Sequence, residues 1–269
     1  MRLLVRLTAQ ADAEYSISYH HKLRGRLWRA FEGTAFDEEH DTPNPRGWSF
    51  SNIFPWGSIS EGDERSLLVA SAREPVLAAV AEDLRENPEF NVGEMSFEVD
   101  GLTQVDPDVG EPGTRGTIET ATGVFVRLFD EHRERYGIDG EYEGTPTYWQ
   151  PEHTVEPFAN AVEANLQHKH DQFAPDYLPG PEDVDGDLFE GYDLIKTYAL
   201  PVTEGVEIEA VVSKWKLDYR VRDDHHRRHL NLALDTGIGG RNALGFGFVN
   251  VVDRTRPGET ELEGEHAFP

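Results

Sequence analysis

In the first hundred residues, segments with the two-residue apolar spacing of strands alternate with segments that have the three- to four-residue spacing of helices. Residues 2–7 place three apolar side chains on one face and two arginines on the other, which predicts a strand. Residues 18–31 carry Leu23, Leu27 and Phe31 at four-residue spacing, which predicts a helix. Further apolar runs predict strands at 47–54 and 66–72, a helix at 75–84 that starts at a proline, and a last strand at 97–99. This β-α-β-β-α-β order is that of a ferredoxin-like unit.

The second half repeats the same order more loosely, after a segment at 106–116 that is rich in Pro, Gly and Asp. We interpret that segment as a linker. The predicted elements are a strand at 124–128, a helix at 155–173, a hairpin of 195–200 with 206–212, and a basic helix from about Asp224. We therefore predict an α+β protein of two tandem ferredoxin-like (βαββαβ) domains, at 1–105 and 117–269. The segment 168–170 of the long helix is expected at the surface.

A glycine-rich loop follows the basic helix and leads into an apolar final strand. A Walker phosphate loop needs a Lys-Ser/Thr pair, and a dinucleotide loop needs a preceding strand; neither is present. The loop could be an ordinary turn, or its backbone N–H groups could bind phosphate, helped by the side chains of Arg241 and Asn242. Its glycines, which permit positive φ and close approach, are Gly237, Gly239, Gly240, Gly245 and Gly247.

Acidic residues outnumber basic ones by 51 to 25, for a net charge of −26. Such a carboxylate-rich surface is expected of a protein from a salt-loving organism, although an acidic mesophilic protein is the alternative. The chain has no cysteine, which excludes disulfides, thiolate metal sites and a cysteine nucleophile. Its first residues are too charged for a signal peptide, and no run is long enough for a membrane span, so we expect a cytoplasmic protein.

The basic residues are concentrated in two islands, 20–29 and 214–241, which together hold eleven of the 25. Net charge argues against a nucleic-acid partner, but this distribution argues for one. Chance clustering on exposed helix faces is the simpler alternative. From the islands we select Lys22, Arg26 and Arg228 as candidate RNA contacts.

Several motifs in order resemble one family. They are the run from Tyr19 to Trp28 (YHHKLRGRLW), then His40, the WSFS strand at 48–51, and the Gly-x-Gly to Gly-Phe-Gly loop near the C-terminus. Together they resemble the CRISPR-associated RAMP endoribonuclease that processes CRISPR repeat RNA, in its haloarchaeal type I (I-B-like) form. The resemblance implies metal-independent cleavage by the ribose 2′-hydroxyl, leaving 2′,3′-cyclic phosphate and 5′-hydroxyl ends. It implies no cofactor, and as partners the repeat RNA and a Cascade-type interference complex, with the protein a monomer or weak homodimer.

By this resemblance His40 falls on the catalytic histidine of the family. Imidazole suits proton transfer because its ordinary pKa of about 6.5 lies near working pH. Arg46 stands where related enzymes often carry a lysine; it cannot act as a base but can hold a phosphate with two donors. Trp28 stands where some members have a tyrosine, so the second proton-transfer group stays open between Tyr19, His20 and His21.

Two other readings stay open. A non-catalytic RAMP subunit would bind guide RNA without cutting it, and it would need neither His40 nor Arg46. An unrelated acidic ferredoxin-like metabolic enzyme would have no use for the two basic islands.

Overall fold

Two antiparallel sheets with helices packed on them account for most of the structure. The computed structural model describes residues 1–15, 19–37, 46–138, 147–177, 187–201 and 209–257. No helix within these ranges is long and apolar enough to cross a membrane.

The first sheet has five strands, which lie side by side in the order 48–50, 64–71, 2–9, 95–105 and 89–92. It alternates with two helices along the chain, and a 3-10 turn at Arg29–Phe31 extends the first of them. The elements are β1 (Arg2–Ala9), α1 (His20–Trp28), β2 (Trp48–Phe50), β3 (Glu64–Ser71), α2 (Glu74–Glu86), β4 (Glu89–Val92) and β5 (Met95–Val105). Apolar side chains of both helices and of the sheet form one buried core, with Leu23, Val5 and Val80 fully inaccessible.

The second sheet has four strands in the order β11-β6-β10-β9, and a two-stranded ribbon, β7-β8, lies beside it. Its elements are β6 (Arg115–Thr120), β7 (Arg127–Leu128), α3 (Asp130–Tyr136), β8 (Thr147–Tyr148), α4 (Glu156–Tyr177), β9 (Gly191–Pro201), β10 (Glu209–Arg220), α5 (Asp224–Thr236) and β11 (Val249–Thr255). The sequence β6-α4-β9-β10-α5-β11 repeats the ferredoxin-like order, so the predicted fold class is confirmed.

The prediction for the first strand of the second unit was wrong. That strand is β6, which begins at Arg115 inside the predicted linker, whereas 124–128 makes only two isolated bridges and the short β7. β6 has one buried apolar side chain, Ile118, and is held by polar contacts: the Thr120 hydroxyl accepts from the backbone N–H of Trp215 at 2.8 Å. Apolar periodicity cannot detect such a strand.

Arg2 joins the two units. Although it lies on β1 of the first sheet, it is 3% exposed, and its guanidinium donates to the carbonyl oxygens of Leu234 at 2.7 Å and Val249 at 2.6 Å in the second unit. The same group lies 4.5 Å from the ring centroid of Phe248. Burial lowers the pKa of Arg2 to about 10, and the nearby carboxylate of Asp235 opposes this shift.

We expect Arg2→Met to lower the free energy of unfolding by roughly 3 kcal/mol, because two buried carbonyl oxygens lose their charged donor. Arg6 is the matched control, since it lies on the same strand and face but is exposed. Arg6→Met should change stability by less than about 0.5 kcal/mol. Chemical denaturation at fixed salt measures both variants, and equal losses would contradict the role given to Arg2.

Candidate functional site

The glycine loop, 237–248, runs from the end of α5 to β11 and is tightly cross-linked within itself. The Asn242 amide donates to the carbonyl oxygens of Ile238 and Phe246, both at 3.0 Å. Asn242 is 8% exposed, so its side chain braces the loop and is not available to read a base. This corrects the RNA-contact role predicted for the side chain.

Most glycine N–H groups of the loop are also used internally, contrary to the expectation that they bind phosphate. Gly237, Gly240, Gly245 and Gly247 donate to the carbonyl oxygens of Ala233, Phe125, Asn242 and Gly123 respectively, at 2.8–2.9 Å. By contrast, the N–H groups of Gly239 and Arg241 donate to no described residue. Arg241 lines the cleft described below, whereas Gly239 lines a neighbouring pocket with Phe125 and Ala161.

Steric crowding explains the final two glycines. At Gly247, where φ is +67°, a Cβ atom would lie 1.9 Å from the Ile238 carbonyl oxygen. At Gly245, where φ is +87°, a Cβ atom would lie 2.6 Å from the ring of Phe50 and 2.8 Å from Nδ1 of His20. Phe50 and His20 belong to the first unit, so the loop packs directly onto it.

A cleft of about 310 Å³ lies between the glycine loop, α4 and the start of β2. None of its lining residues is acidic, although the chain as a whole has 51 acidic residues. Its lining residues are Arg46, Gly47, Trp48, Asn165, His168, Lys169, Thr236, Gly240, Arg241, Asn242 and Ala243. Three basic side chains without a carboxylate favour a negatively charged ligand there.

Two of the predicted cationic residues lie in this cleft. The Arg46 guanidinium lies 5.4 Å from the ring centroid of Trp28. The exposed Arg241 has φ of +58° and lies 4.9 Å from the ring centroid of Phe125. His40 falls in the segment 38–45, outside the described residues; the cleft begins one residue after that segment, at Arg46.

Tyr19 does not lie in the cleft. It is 1% exposed, and its hydroxyl contacts the Tyr15 hydroxyl at 2.6 Å and donates to Asn52 Oδ1 at 3.0 Å. Burial, with the neighbouring Tyr15 hydroxyl, raises the pKa of Tyr19 well above its usual range. These contacts remove Tyr19 from the candidates for the second proton-transfer group.

His20 lies beneath the loop, with its ring stacked on that of Phe246 at 6.2 Å between centroids. Its Nδ1 atom is buried and has no hydrogen-bond partner among the described residues. Burial lowers the pKa of His20 to about 4, opposed by a hydrogen bond with Asn52, so the ring is neutral at pH 7. A neutral ring beneath Gly245 supports the loop and is a poor proton donor.

The predicted RNA contacts on the helices have different surroundings. Arg26 is 7% exposed and donates to Asp83 Oδ2 at 2.6 Å and to the Asn87 carbonyl oxygen at 2.9 Å, which makes it a structural residue and corrects its prediction. Lys22 is exposed on α1 and Arg228 is half-buried on α5; neither lines the cleft, and their RNA contacts stay predictions.

Sequence reasoning missed Lys169, because the segment 168–170 reads as a charged helix surface. In the structure Lys169 and His170 are 1% and 3% exposed, and only His168 is exposed. A polar triplet in the middle of a helix that otherwise buries Phe158, Val162 and Leu166 was the available signal. Among the described residues, no group of three or more histidines and carboxylates stands together as a metal site.

Comparisons with known proteins agree with this architecture. Residues 111–251, more than half of the 269, match the family described as CRISPR associated protein Cas6, C-terminal. A CRISPR-associated endoribonuclease Cas6 of Haloferax mediterranei is 67% identical over 270 residues, which covers 100% of both chains. That source agrees with the salt-loving character expected from the net charge.

Solved structures show the same fold at low sequence identity. A Cas6-related protein from Pyrococcus furiosus matches with a TM-score of 0.69 and 17% identity, covering 94% of this chain and 98% of its own. A structure described as an RAMP protein binding different RNA substrates matches with a TM-score of 0.68 and 19% identity, covering 94% and 99%. With the family match and the full-length Haloferax relative, these findings show that the chain belongs to the Cas6 family of CRISPR-associated endoribonucleases.

Proposed function

We propose that this protein cleaves CRISPR repeat RNA with the scissile phosphate held in the acid-free cleft between the glycine loop, α4 and β2. The observation that carries the proposal is the local charge: Arg46, Lys169 and Arg241 line the cleft of a protein whose net charge is −26. An anion is attracted there and repelled from most of the remaining surface.

The chemistry needs no metal. The ribose 2′-oxygen attacks the adjacent phosphorus as its proton passes to a base, and the bond to the 5′-oxygen breaks as that oxygen gains a proton. The products are a 2′,3′-cyclic phosphate and a 5′-hydroxyl. The developing negative charge on the phosphorane is stabilised by the Arg46 guanidinium and by the backbone N–H group of Arg241, both of which line the cleft.

His40 is the proposed base. It lies six residues before Arg46, and six residues of chain span at most roughly 20 Å, so His40 is tethered to the wall of the cleft. The second proton-transfer group is not assigned, since Tyr19 is buried and His20 is neutral beneath the loop.

The cleaved guide RNA then passes to, or stays bound for, a Cascade-type interference complex, and the protein acts as a monomer or weak homodimer. A relative described as binding different RNA substrates supports the RNA partner.

Replacing the proposed base tests the chemistry. His40→Ala should reduce the cleavage rate of repeat RNA on the order of 10²-fold or more, the usual contribution of a positioned acid–base group, while RNA affinity stays close to wild type. His153→Ala is the control, because His153 accepts from a turn N–H before α4 and does not line the cleft. Single-turnover kinetics with labelled RNA measure both variants. An unchanged rate for His40→Ala would exclude it and favour a subunit that only binds RNA.

The nucleophile is tested on the RNA. A single 2′-deoxy nucleotide on the 5′ side of the cut should stop cleavage because the attacking hydroxyl is absent, whereas excess chelator should leave cleavage of the all-ribose RNA unchanged. Product ends are identified by end-labelling and phosphatase treatment. Cutting of the deoxy substrate that depends on a divalent ion would show hydrolysis by a metal-bound water instead.

The shape of the loop is tested at its crowded glycines. Gly247→Ala and Gly245→Ala should each reduce processing, by up to about 10²-fold, since a shift of about 1 Å in bound phosphate can cost that much. Gly137→Ala is the matched control: its φ is +62°, but a Cβ atom there has nothing within 4 Å. It therefore separates backbone strain from crowding. Normal processing by both loop variants would mean that the loop only connects α5 to β11.

A further inference from the structure

Lys169 is a buried lysine on the floor of the cleft. It lies on α4, is 1% exposed, and forms no ion pair with a described carboxylate. Its ammonium donates to the carbonyl oxygen of Gly237 at 2.7 Å and lies 3.5 Å from that of Gly239. The lysine thus ends on the backbone of the glycine loop.

Hydrogen bonds from Lys169 and from other residues hold three successive peptide groups of the loop in place. In the peptide that joins Gly237 to Ile238, Lys169 holds the carbonyl, and the N–H donates to Gly247 at 2.9 Å. In the peptide that joins Gly239 to Gly240, the N–H donates to Phe125 at 2.8 Å, and Lys169 approaches the carbonyl. Because a trans peptide directs its N–H opposite to its carbonyl, both ends of these two peptides are set.

In the peptide between them, which joins Ile238 to Gly239, only the carbonyl group is hydrogen-bonded to a described residue. Asn242 holds the Ile238 carbonyl at 3.0 Å, while the N–H of the same peptide, that of Gly239, donates to no described residue. Gly239 lines a neighbouring pocket with Phe125 and Ala161 and does not line the cleft, so this N–H is not one of the donors of the cleft.

Stability does not explain such a lysine. An ammonium without an anionic partner loses its hydration on burial, and two neutral carbonyl oxygens replace that hydration incompletely. A methionine of similar length would fill the same space without this cost. The cleft adds no compensation, since its other charged and titratable lining groups are Arg46, His168 and Arg241.

We propose that Lys169 is a positioning residue for RNA cleavage: it fixes the Gly237 and Gly239 carbonyls from beneath the loop and, when protonated, adds to the cleft a positive charge that salt screens less than an exposed one. This inference rests on the proposed function, and it names the group that keeps the phosphate site in shape. Exposed cations lose most of their attraction in molar salt, where the screening length is about 3 Å, whereas a buried charge is screened much less.

Salt dependence separates Lys169 from an exposed cation of the same cleft. Binding of repeat RNA made uncleavable by one 2′-deoxy nucleotide is measured below pH 7, where the Lys169 amine is protonated, for the wild type, Lys169→Met and Arg241→Met, from low KCl to above about 1 M. Lys169→Met should weaken binding about 10-fold or more, by a similar factor at every salt concentration. Arg241→Met should weaken binding at low salt and approach the wild type in molar salt, because its side chain is exposed.

The unfolding temperature separates the proposed role from a purely structural one, because replacing a residue that stabilises the fold would lower that temperature. Lys169→Met should unfold at the same temperature as the wild type or a higher one. Burial lowers the pKa of Lys169 to about 7, below the ordinary value near 10.4, so the unfolded chain binds more protons between these limits. The contribution of Lys169 to wild-type stability should therefore rise with pH from about 7 to 10, and the methionine variant should lack that rise.

A charge-retaining variant completes the experiment. Lys169→Arg should recover part of the lost affinity, and Lys196→Met, an exposed lysine on β9 outside the cleft, should behave as wild type. Wild-type affinity and cleavage in Lys169→Met would overturn the inference, and so would a methionine variant that fails to fold while the arginine variant folds. Wild-type cleavage of all-ribose repeat RNA is measured alongside, so failure of the proposed function itself would be recognised separately.

Discussion

The structure depends on one packing constraint: the glycine loop of the second unit packs so closely against the first unit that a side chain at Gly245 would collide with it. Gly245 lies against Phe50 and His20, and Gly247 lies against the Ile238 carbonyl. The loop residue Ala243 belongs to the buried core of the first unit. Because the cleft has one wall on each unit, this contact sets the distance from Arg46 to the loop donors, and Arg2 holds the same two units together at β1.

Electrostatics adds a second constraint. A chain with 51 acidic residues and a net charge of −26 repels RNA, so any attraction must come from a place where carboxylates are missing. The cleft is such a place, and its cations differ in exposure: Arg241 faces solvent, while Lys169 is buried. In a cell with high salt, the backbone donors and the buried charge would keep their strength better than exposed arginines.

Sequence patterns predicted the order of elements where one face is apolar. α2 and α5 follow this rule, and the family motifs located the loop and Arg46. The patterns failed where polar contacts replace apolar burial. β6 was missed because threonine hydroxyls hold it, and Lys169 was placed at the surface because lysine is almost never fully buried. Tyr19 and Arg26 looked functional because a sequence does not show whether a polar group is already bonded within the core.

A structure of the protein with repeat RNA that carries a 2′-deoxy nucleotide at the cut is the most direct test of the phosphate site. We predict that the scissile phosphate lies in the cleft, with its oxygens about 2.7–3.2 Å from the Arg46 guanidinium and from the N–H of Arg241. The Lys169 ammonium would still donate to the Gly237 carbonyl in that complex. A scissile phosphate bound elsewhere, with the cleft free of RNA, would contradict the central claim.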